Sequence, residues 1–419
     1  MAIDPQLFYQ HLLSTRTRLL GNMFFPFSPG HMIWELDNFL RMRHLGETPA
    51  DIPYFAVFNT SPIDMPQHIA ATYPHLFNSK VRFVVDDHLH AIVAELHSHF
   101  PDLFADVGLS HFKGFLRTEP ERQSSRLMAL PNYPMKLAWV VSHETNIRKT
   151  LDYFRRRALT RDFNPLADIP SLGPELSNLL GGKTEKIALI HIRSIDRSKG
   201  SAGNAGTKTD PVTLEPTLAY LRDTGYTLVK VGLEAYPPEW SAYGVINYTN
   251  SGLLTFSNDM RLLKAASFVM VNASGFQNLP DILETPMVVY GTWPIAAMSP
   301  GKSIVHVPTI LRAKRNGLLL KFAEQIDRSF SRHQFWEKGD CLNLPAEEFD
   351  LRHPASNELL EATKEAISLS QNFQQRSELQ NRFIDLSKHH YFEHVEGRIS
   401  QFFLENFSDA LEPGIMPRG

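Results

Sequence analysis

Lys186-Ile-Ala-Leu-Ile-His191-Ile-Arg193-Ser-Ile-Asp196 is the stretch on which the reading of this chain turns. Its apolar run, Ile187 to Ile190, has the length of a buried strand. The run stops abruptly at a polar His-x-Arg-x-x-Asp cluster. A basic glycine loop follows, Arg197-Ser-Lys199-Gly200-Ser-Ala-Gly203-Asn-Ala-Gly206-Thr-Lys208. In open α/β sheets, ligands sit outside the carboxyl ends of the strands. Cationic side chains at such an end point to an anionic ligand, most simply a phosphate or diphosphate. Arg193 offers a planar fork of donors that suits diphosphate oxygens. His191 can donate to a phosphate or act as a base. Asp196 can orient Arg193 or hold a sugar hydroxyl. Gly200, Gly203 and Gly206 permit a backbone nest around an anion. The loop lacks the Gly-Lys-Ser/Thr ending of a Walker A motif. The competing reading is an ion pair at a strand end followed by a surface loop.

The pattern around this stretch is a βα rhythm. Thr227-Leu-Val-Lys-Val231, Gly244-Val-Ile-Asn-Tyr248, Phe268-Val-Met-Val271 and Pro286-Met-Val-Val-Tyr290 read as strands. Pro216 to Arg222 and Asn258 to Ala266 read as helices between them. Gly232 opens the turn after its strand. Strands alternating with helices predict a parallel sheet with covered faces. Upstream, Tyr54–Phe58 and Val81–Val85 read as strands, and Ile92–Phe100 and Ile147–Leu159 as helices. The expected organisation is a first domain over 1–165, a proline- and glycine-bearing linker over 166–185, a second domain over 186–345, and a helical segment over 346–419.

Composition narrows the classes. With 419 residues the chain is long enough for roughly two to three domains. Hydrophobic residues at 43% and charged residues at 21% are ordinary globular values. A formal net charge of −3 gives no support for nucleic-acid binding. The one cysteine, Cys341, excludes a disulfide within the chain and fits a reducing compartment. Its neighbours supply no base for a nucleophile. No apolar run approaches the ~18–20 residues of a membrane span. A soluble, cytoplasmic protein is expected, at the inner face of the membrane if its acceptor is lipid-linked.

Further clusters carry chemistry. Val271-Asn-Ala-Ser274-Gly275 follows a strand and leads into a helix, whose first amides can bind phosphate; a plain N-cap is the alternative. Gly30-His31 precedes an amphipathic helix that contains Glu35. The helix dipole favours the neutral form of His31, which suits a general base; a histidine that caps and packs is the alternative. Trp293 can stack on a base or sugar, or fill a core. His88, His90, His97, His99, His389, His390 and His394 lack the His-Glu-x-x-His pattern, so no metal site is expected. The run Arg155-Arg156-Arg157 with Arg161 reads as a solvated helix face, or as a contact to an anionic lipid-linked acceptor or membrane surface.

Taken together, these blocks resemble a group of bacterial glycosyltransferases found in surface-polysaccharide and other glycan gene sets. The resemblance runs over most of the chain. It rests on Gly30-His31 with Asp37-Asn-Phe-Leu-Arg41-x-Arg43-x-Leu-Gly46, and on His191-x-Arg193. It continues through Gly225-Tyr226-Thr-Leu-Val-Lys230-Val-Gly232, the Ser274-Gly275 strand end, and Asn357-Glu358 and Arg398-Ile-Ser400 near the C-terminus. The family implies a GT-B fold: α/β, two Rossmann-like domains with mostly parallel sheets facing a cleft, and C-terminal helices packing back. The His-x-Arg element is also similar to the one fucosyltransferases use to hold a GDP diphosphate.

The resemblance implies transfer of a sugar from a nucleotide-sugar donor to a glycan, lipid-linked or protein acceptor, with no cofactor and no obligatory metal. His191, Arg193, Asp196, Gly232, Ser274 and Gly275 would form the donor side, with Trp293 beside them. Lys208 stands where the family carries an arginine. Arg193 would stabilise the leaving diphosphate. His31, or Glu35, would deprotonate the acceptor if the reaction inverts; a retaining reaction needs no such base. A sugar-nucleotide epimerase of the same architecture and a non-catalytic glycan-binding or scaffold protein are the alternatives.

Overall fold

The computed structural model describes residues 4–20, 29–49, 51–58, 81–86, 88–89, 92–93, 96, 100, 103–105, 143–163, 169–193, 209–292, 295, 298–331, 348–386 and 395–412. The chain divides into two compact units. One is Met1–Ala167 with Thr255–Ser257, and the other is Asp168–Leu254 with Asn258–Gly419. Each is an α/β unit with a parallel sheet, as the alternating rhythm predicts.

In the first unit, β1 (Arg18–Leu20), β2 (Tyr54–Phe58), β3 (Val81–Val85) and β4 (Phe104–Ala105) form a sheet in the order β3-β2-β1-β4. Every pairing is parallel. Leu12, Leu19, Val57, Val93 and Leu96 close its core. Helix Pro29–His44 packs on helix His143–Leu159. A buried polar ring joins them. Asp37 Oδ2 accepts from Arg41 Nε at 2.8 Å and from the Tyr153 hydroxyl at 2.7 Å. Arg41 Nη1 donates to the Thr160 carbonyl and hydroxyl oxygens at 3.0 and 2.6 Å. These bonds offset part of the desolvation cost of a buried ion pair, while Asp37 Oδ1 has no hydrogen-bond partner among the described residues.

The arginine run is only in part the solvated face that its charge suggests. Arg156 donates to Glu47 Oε2 at 2.6 Å and to Asn38 Oδ1 at 3.1 Å, and Arg157 is buried. Arg155 and Arg161 are exposed.

The second unit holds β5 (Ile187–His191), β6 (Thr227–Val231), β7 (Ile246–Asn247), β8 (Ala266–Asn272), β9 (Met287–Thr292), β10 (Ile304–Pro308) and, from near the C-terminus, β13 (Arg398–Ile399). Their order is β7-β6-β5-β8-β9-β10-β13, all parallel. This is the Rossmann order with one more strand at its edge. β11 (Ile310–Ala313) and β12 (Phe349–Arg352) pair separately and antiparallel. Every residue of β5, β9 and β10 is buried. That is why they read as apolar runs rather than as alternating strands. Helix Ser356–Gln371 covers β9 and β10, and helix Glu215–Asp223 covers β6.

Residues 346–419 were expected to be helical, and they do hold helices Ser356–Gln371, Glu378–Asp385 and Gln401–Asn406. They also hold β12 and β13. β13 is fixed by its rungs to β10, Val305 with Arg398 and His306 with Ile399, which leave no mark on local periodicity. Among the described residues, no helix is long and apolar enough to cross a membrane.

Candidate functional site

The strand order places the sequence cluster. From β5 the chain runs to β6 and β7 on one side, then crosses to β8 on the other. The connections diverge between β5 and β8, and ligands bind at such a switch point beyond the carboxyl ends. His191 is the last residue of β5 and Asn272 the last of β8. Gly232 directly follows β6.

His191 is 8% exposed. Its ring stacks on Phe276, with centroids 4.9 Å apart and planes at 8°. Its carbonyl accepts from the Tyr290 hydroxyl at 2.8 Å. Burial, helped by the charges of Arg193 and Lys230, lowers the imidazole pKa to about 3. The ring is therefore neutral near pH 7, with one N–H donor and one acceptor nitrogen. This makes it a weak base, so the anion-donor reading of His191 is favoured over the base reading. Nδ1 is buried and has no hydrogen-bond partner among the described residues.

Lys230 is wholly buried. Its ammonium donates to the carbonyls of Gly232 (3.1 Å) and Glu234, and to Thr249 Oγ1 at 2.9 Å. The Thr249 hydroxyl in turn donates to the Gly232 carbonyl at 2.9 Å. Burial lowers the lysine pKa to about 8, against the opposing pull of Glu234. The ammonium thus pins the turn that carries Gly232 and keeps a positive charge beneath the switch point.

Arg193 is half-buried, which lowers its pKa without neutralising a guanidinium. Its backbone N–H donates to Asn272 Oδ1 at 2.5 Å. Ser274 and Gly275 lie just beyond β8. Gly275 opens a short 3₁₀ turn, Gly275–Gln277, that runs into helix Asn278–Ile282. Gln277 Oε1 accepts from the Ser274 N–H at 3.2 Å, and the Gln277 N–H donates to the Ser274 carbonyl at 3.1 Å. The Ser274 hydroxyl oxygen is buried and has no hydrogen-bond partner among the described residues. Buried polar atoms are normally paired. Both unpaired atoms belong to residues at the carboxyl end of this sheet, His191 ending β5 and Ser274 just past β8, and the charges of Arg193 and Lys230 act on His191.

The close approach of Gly232 yields a test. Its φ is +86°, and a Cβ there would stand 2.6 Å from His191 Cδ2. Gly232→Ala adds left-handed strain of about 1–2 kcal/mol and drives the methyl into the imidazole. We expect a lower urea midpoint, and a His191 ring signal in NMR spectra that moves away from its wild-type position. An unchanged midpoint and ring signal would show that the contact is slack.

The structure thus brings His191, Arg193, Gly232, Ser274 and Gly275 to one end of one sheet. Asp196, Lys208 and Trp293 lie outside the described residues. His31 and Glu35 belong to helix Pro29–His44 of the first unit, and their side chains lie outside the described residues. The helix begins at Pro29, so His31 sits within its first turn rather than ahead of it; proline suits the first helical position. Sequence reasoning missed Lys230, Thr249, Asn272, Thr209, Phe276 and Tyr290. For Lys230 a signal existed, a lysine in the middle of an apolar strand. The others gave none, because their roles come from contacts far apart in sequence.

No protein-family model matches the sequence, and no curated protein matches it. Among solved structures, the chain is similar to the iron-containing dodecameric glycosyltransferase TibC of enterotoxigenic E. coli. That match has 13% identity and a TM-score of 0.32, over 65% of this chain and 57% of TibC. It is also similar to E. coli heptosyltransferase WaaC with ADP, at 13% identity and a TM-score of 0.34, over 70% of this chain and 90% of WaaC. A third is E. coli ADP-heptose LPS heptosyltransferase II, at 14% identity and a TM-score of 0.35, over 70% and 89%. The chain therefore spans a little over half the length of TibC. These likenesses are loose, and the reading of the site rests on the residues described above.

Proposed function

We propose that the protein is a glycosyltransferase that moves a sugar from a nucleotide-sugar donor to a hydroxyl of a glycan, lipid-linked or protein acceptor. The observation that supports this best is the pair of buried unpaired atoms, His191 Nδ1 and Ser274 Oγ, beside Arg193 at the switch point. Polar atoms with no protein partner at the same sheet end as the Arg193 and Lys230 charges suit a diphosphate. In the reaction, the bond between the sugar carbon and the diphosphate oxygen breaks, and a bond to the acceptor oxygen forms. The negative charge that develops on the leaving diphosphate is met by Arg193, Lys208 and backbone amides. Preorganised charge at that place is a strong catalytic device. Asp196, Gly232, Gly275 and Trp293 complete the proposed donor side. If the reaction inverts, His31 or Glu35 takes the acceptor proton. An acceptor in or on a membrane would bring the exposed Arg155 and Arg161 to an anionic surface.

A thermal-shift screen against UDP, GDP, CMP, ADP and dTDP tests the donor reading. A ligand that binds only the folded state raises its stability by about 2.7 kcal/mol at a hundredfold excess over Kd. We expect one nucleoside diphosphate to raise the melting temperature by several degrees, and the response to be lost in Arg193→Ala. If none of the five shifts the transition, the nucleotide-sugar reading fails.

A further inference from the structure

Asn272 ends β8 and is wholly buried. It contacts the donor cluster through the backbone rather than through any surface a ligand could reach. Its Oδ1 accepts from the Arg193 N–H at 2.5 Å, and its Nδ2 donates to Thr209 Oγ1 at 3.1 Å. The Thr209 N–H donates to the Arg193 carbonyl at 2.9 Å, and Thr209 is 2% exposed. The three bonds close a ring among Arg193, Asn272 and Thr209.

The place of this ring in the sheet gives it meaning. The last rung between β5 and β8 pairs His191 with Val271. Past that rung, among the described residues, no named strand pairs with Arg193. The Asn272 carboxamide replaces the missing rung with one acceptor and one donor. It ties Arg193 and Thr209 to the end of β8. A long cationic side chain loses much rotational freedom when it grips an anion. Ordering its backbone would add a second cost, and fixing that backbone in advance removes this second part.

We propose that Asn272 is a positioning residue for the donor site. Its carboxamide locks the backbones of Arg193 and Thr209 in one arrangement, so that the Arg193 guanidinium meets a diphosphate preorganised. This inference rests on the reading of the switch point as a diphosphate site. Asn272 itself touches no substrate, and its role runs through Arg193.

The test uses the full chain and inorganic pyrophosphate, followed by calorimetry, with a urea midpoint for every variant. Wild type should bind and Arg193→Ala should not. Thr209→Val keeps the size of the side chain but removes the hydroxyl, which leaves Asn272 Nδ2 without that acceptor. It should weaken pyrophosphate binding about tenfold. Asn272→Ala should weaken it further, and Thr209→Ser should restore it. If Thr209→Val and a folded Asn272→Ala bind as wild type does while Arg193→Ala does not, the positioning role is wrong and the diphosphate site stands. Should Asn272→Ala fail to fold, the contrast between Thr209→Val and Thr209→Ser decides the matter. If wild type does not bind, or binds no better than Arg193→Ala, the site reading fails and the inference falls with it.

Discussion

Arg193→Ala should reduce sugar transfer by about two to three orders of magnitude while leaving the fold in place. The expectation follows from where the residue is held. Its backbone is anchored by Asn272 and Thr209, and truncation beyond Cβ touches neither bond. The side chain is half-buried, so its removal opens space to water rather than sealing a void. Stability should change by no more than about 1 kcal/mol. The catalytic loss is much larger because the guanidinium meets charge that grows in the transition state. Arg193→Lys separates charge from shape. Lysine supplies a point charge without the planar fork, so it should recover only part of the rate. The measurement is kcat and KM with the donor nucleotide chosen by the thermal-shift screen. Transfer within threefold of wild type in Arg193→Ala would remove this residue, and the switch point with it, from the mechanism.

Much of this was legible in the sequence, for physical reasons that differ by element. β2, β3 and β6 begin and end where their strand-like runs do, since each run is rich in β-branched and aromatic residues that suit a pleated strand. The anchor of the site, His191-Ile-Arg193, showed as the polar end of such a run. β1, β4 and β13 were not legible. They are two or three residues long, too short for any period, and exist only through pairing. The site was half legible for a related reason. Charged and glycine positions announce themselves, whereas Asn272 and Thr249 act through bonds that span 79 and 17 positions of sequence. Lys230 lies between these cases. Its presence in an apolar strand was visible, but its three acceptors come from the turn after β6 and from Thr249 beyond β7, which only the fold brings together.

Acidification should unfold this protein through two histidines held neutral. His191 and His306 are both buried, and burial lowers each pKa to about 3, with Arg193 and Lys230 adding to the effect at His191. His306 shows why it resists a proton. Its Nε2 accepts from the Ser299 N–H at 3.0 Å, and its Nδ1 lies 3.2 Å from Thr292 Oγ1. Protonating Nε2 would break the first bond. In the unfolded chain both residues titrate near 6.5, so the unfolded state takes up protons first as pH falls. Stability is fully present above about pH 6.5 and is lost as pH falls toward 3. Two such groups give a slope of about 2.7 kcal/mol per pH unit, or roughly 5 kcal/mol between pH 6.5 and 4.5. That approaches the whole stability of many domains. Glu365 works in the opposite sense. Burial raises its pKa, so the folded state gains a proton before the unfolded one and offsets part of the loss near the carboxylate range. His306→Gln isolates one contribution. It should destabilise the protein at pH 7.5, where a packed ring is lost, yet flatten the pH slope of its unfolding free energy in urea titrations by about 1.4 kcal/mol per unit. Pyrophosphate should act on the other histidine alone. An anion in the donor site offsets the charges of Arg193 and Lys230, which are the smaller causes beside burial, and so raises the His191 pKa part of the way back. Added pyrophosphate should therefore lessen the acid loss in His306→Gln as much as in wild type. Equal pH slopes for wild type and His306→Gln would show that the imidazole of His306 is not kept neutral by the fold.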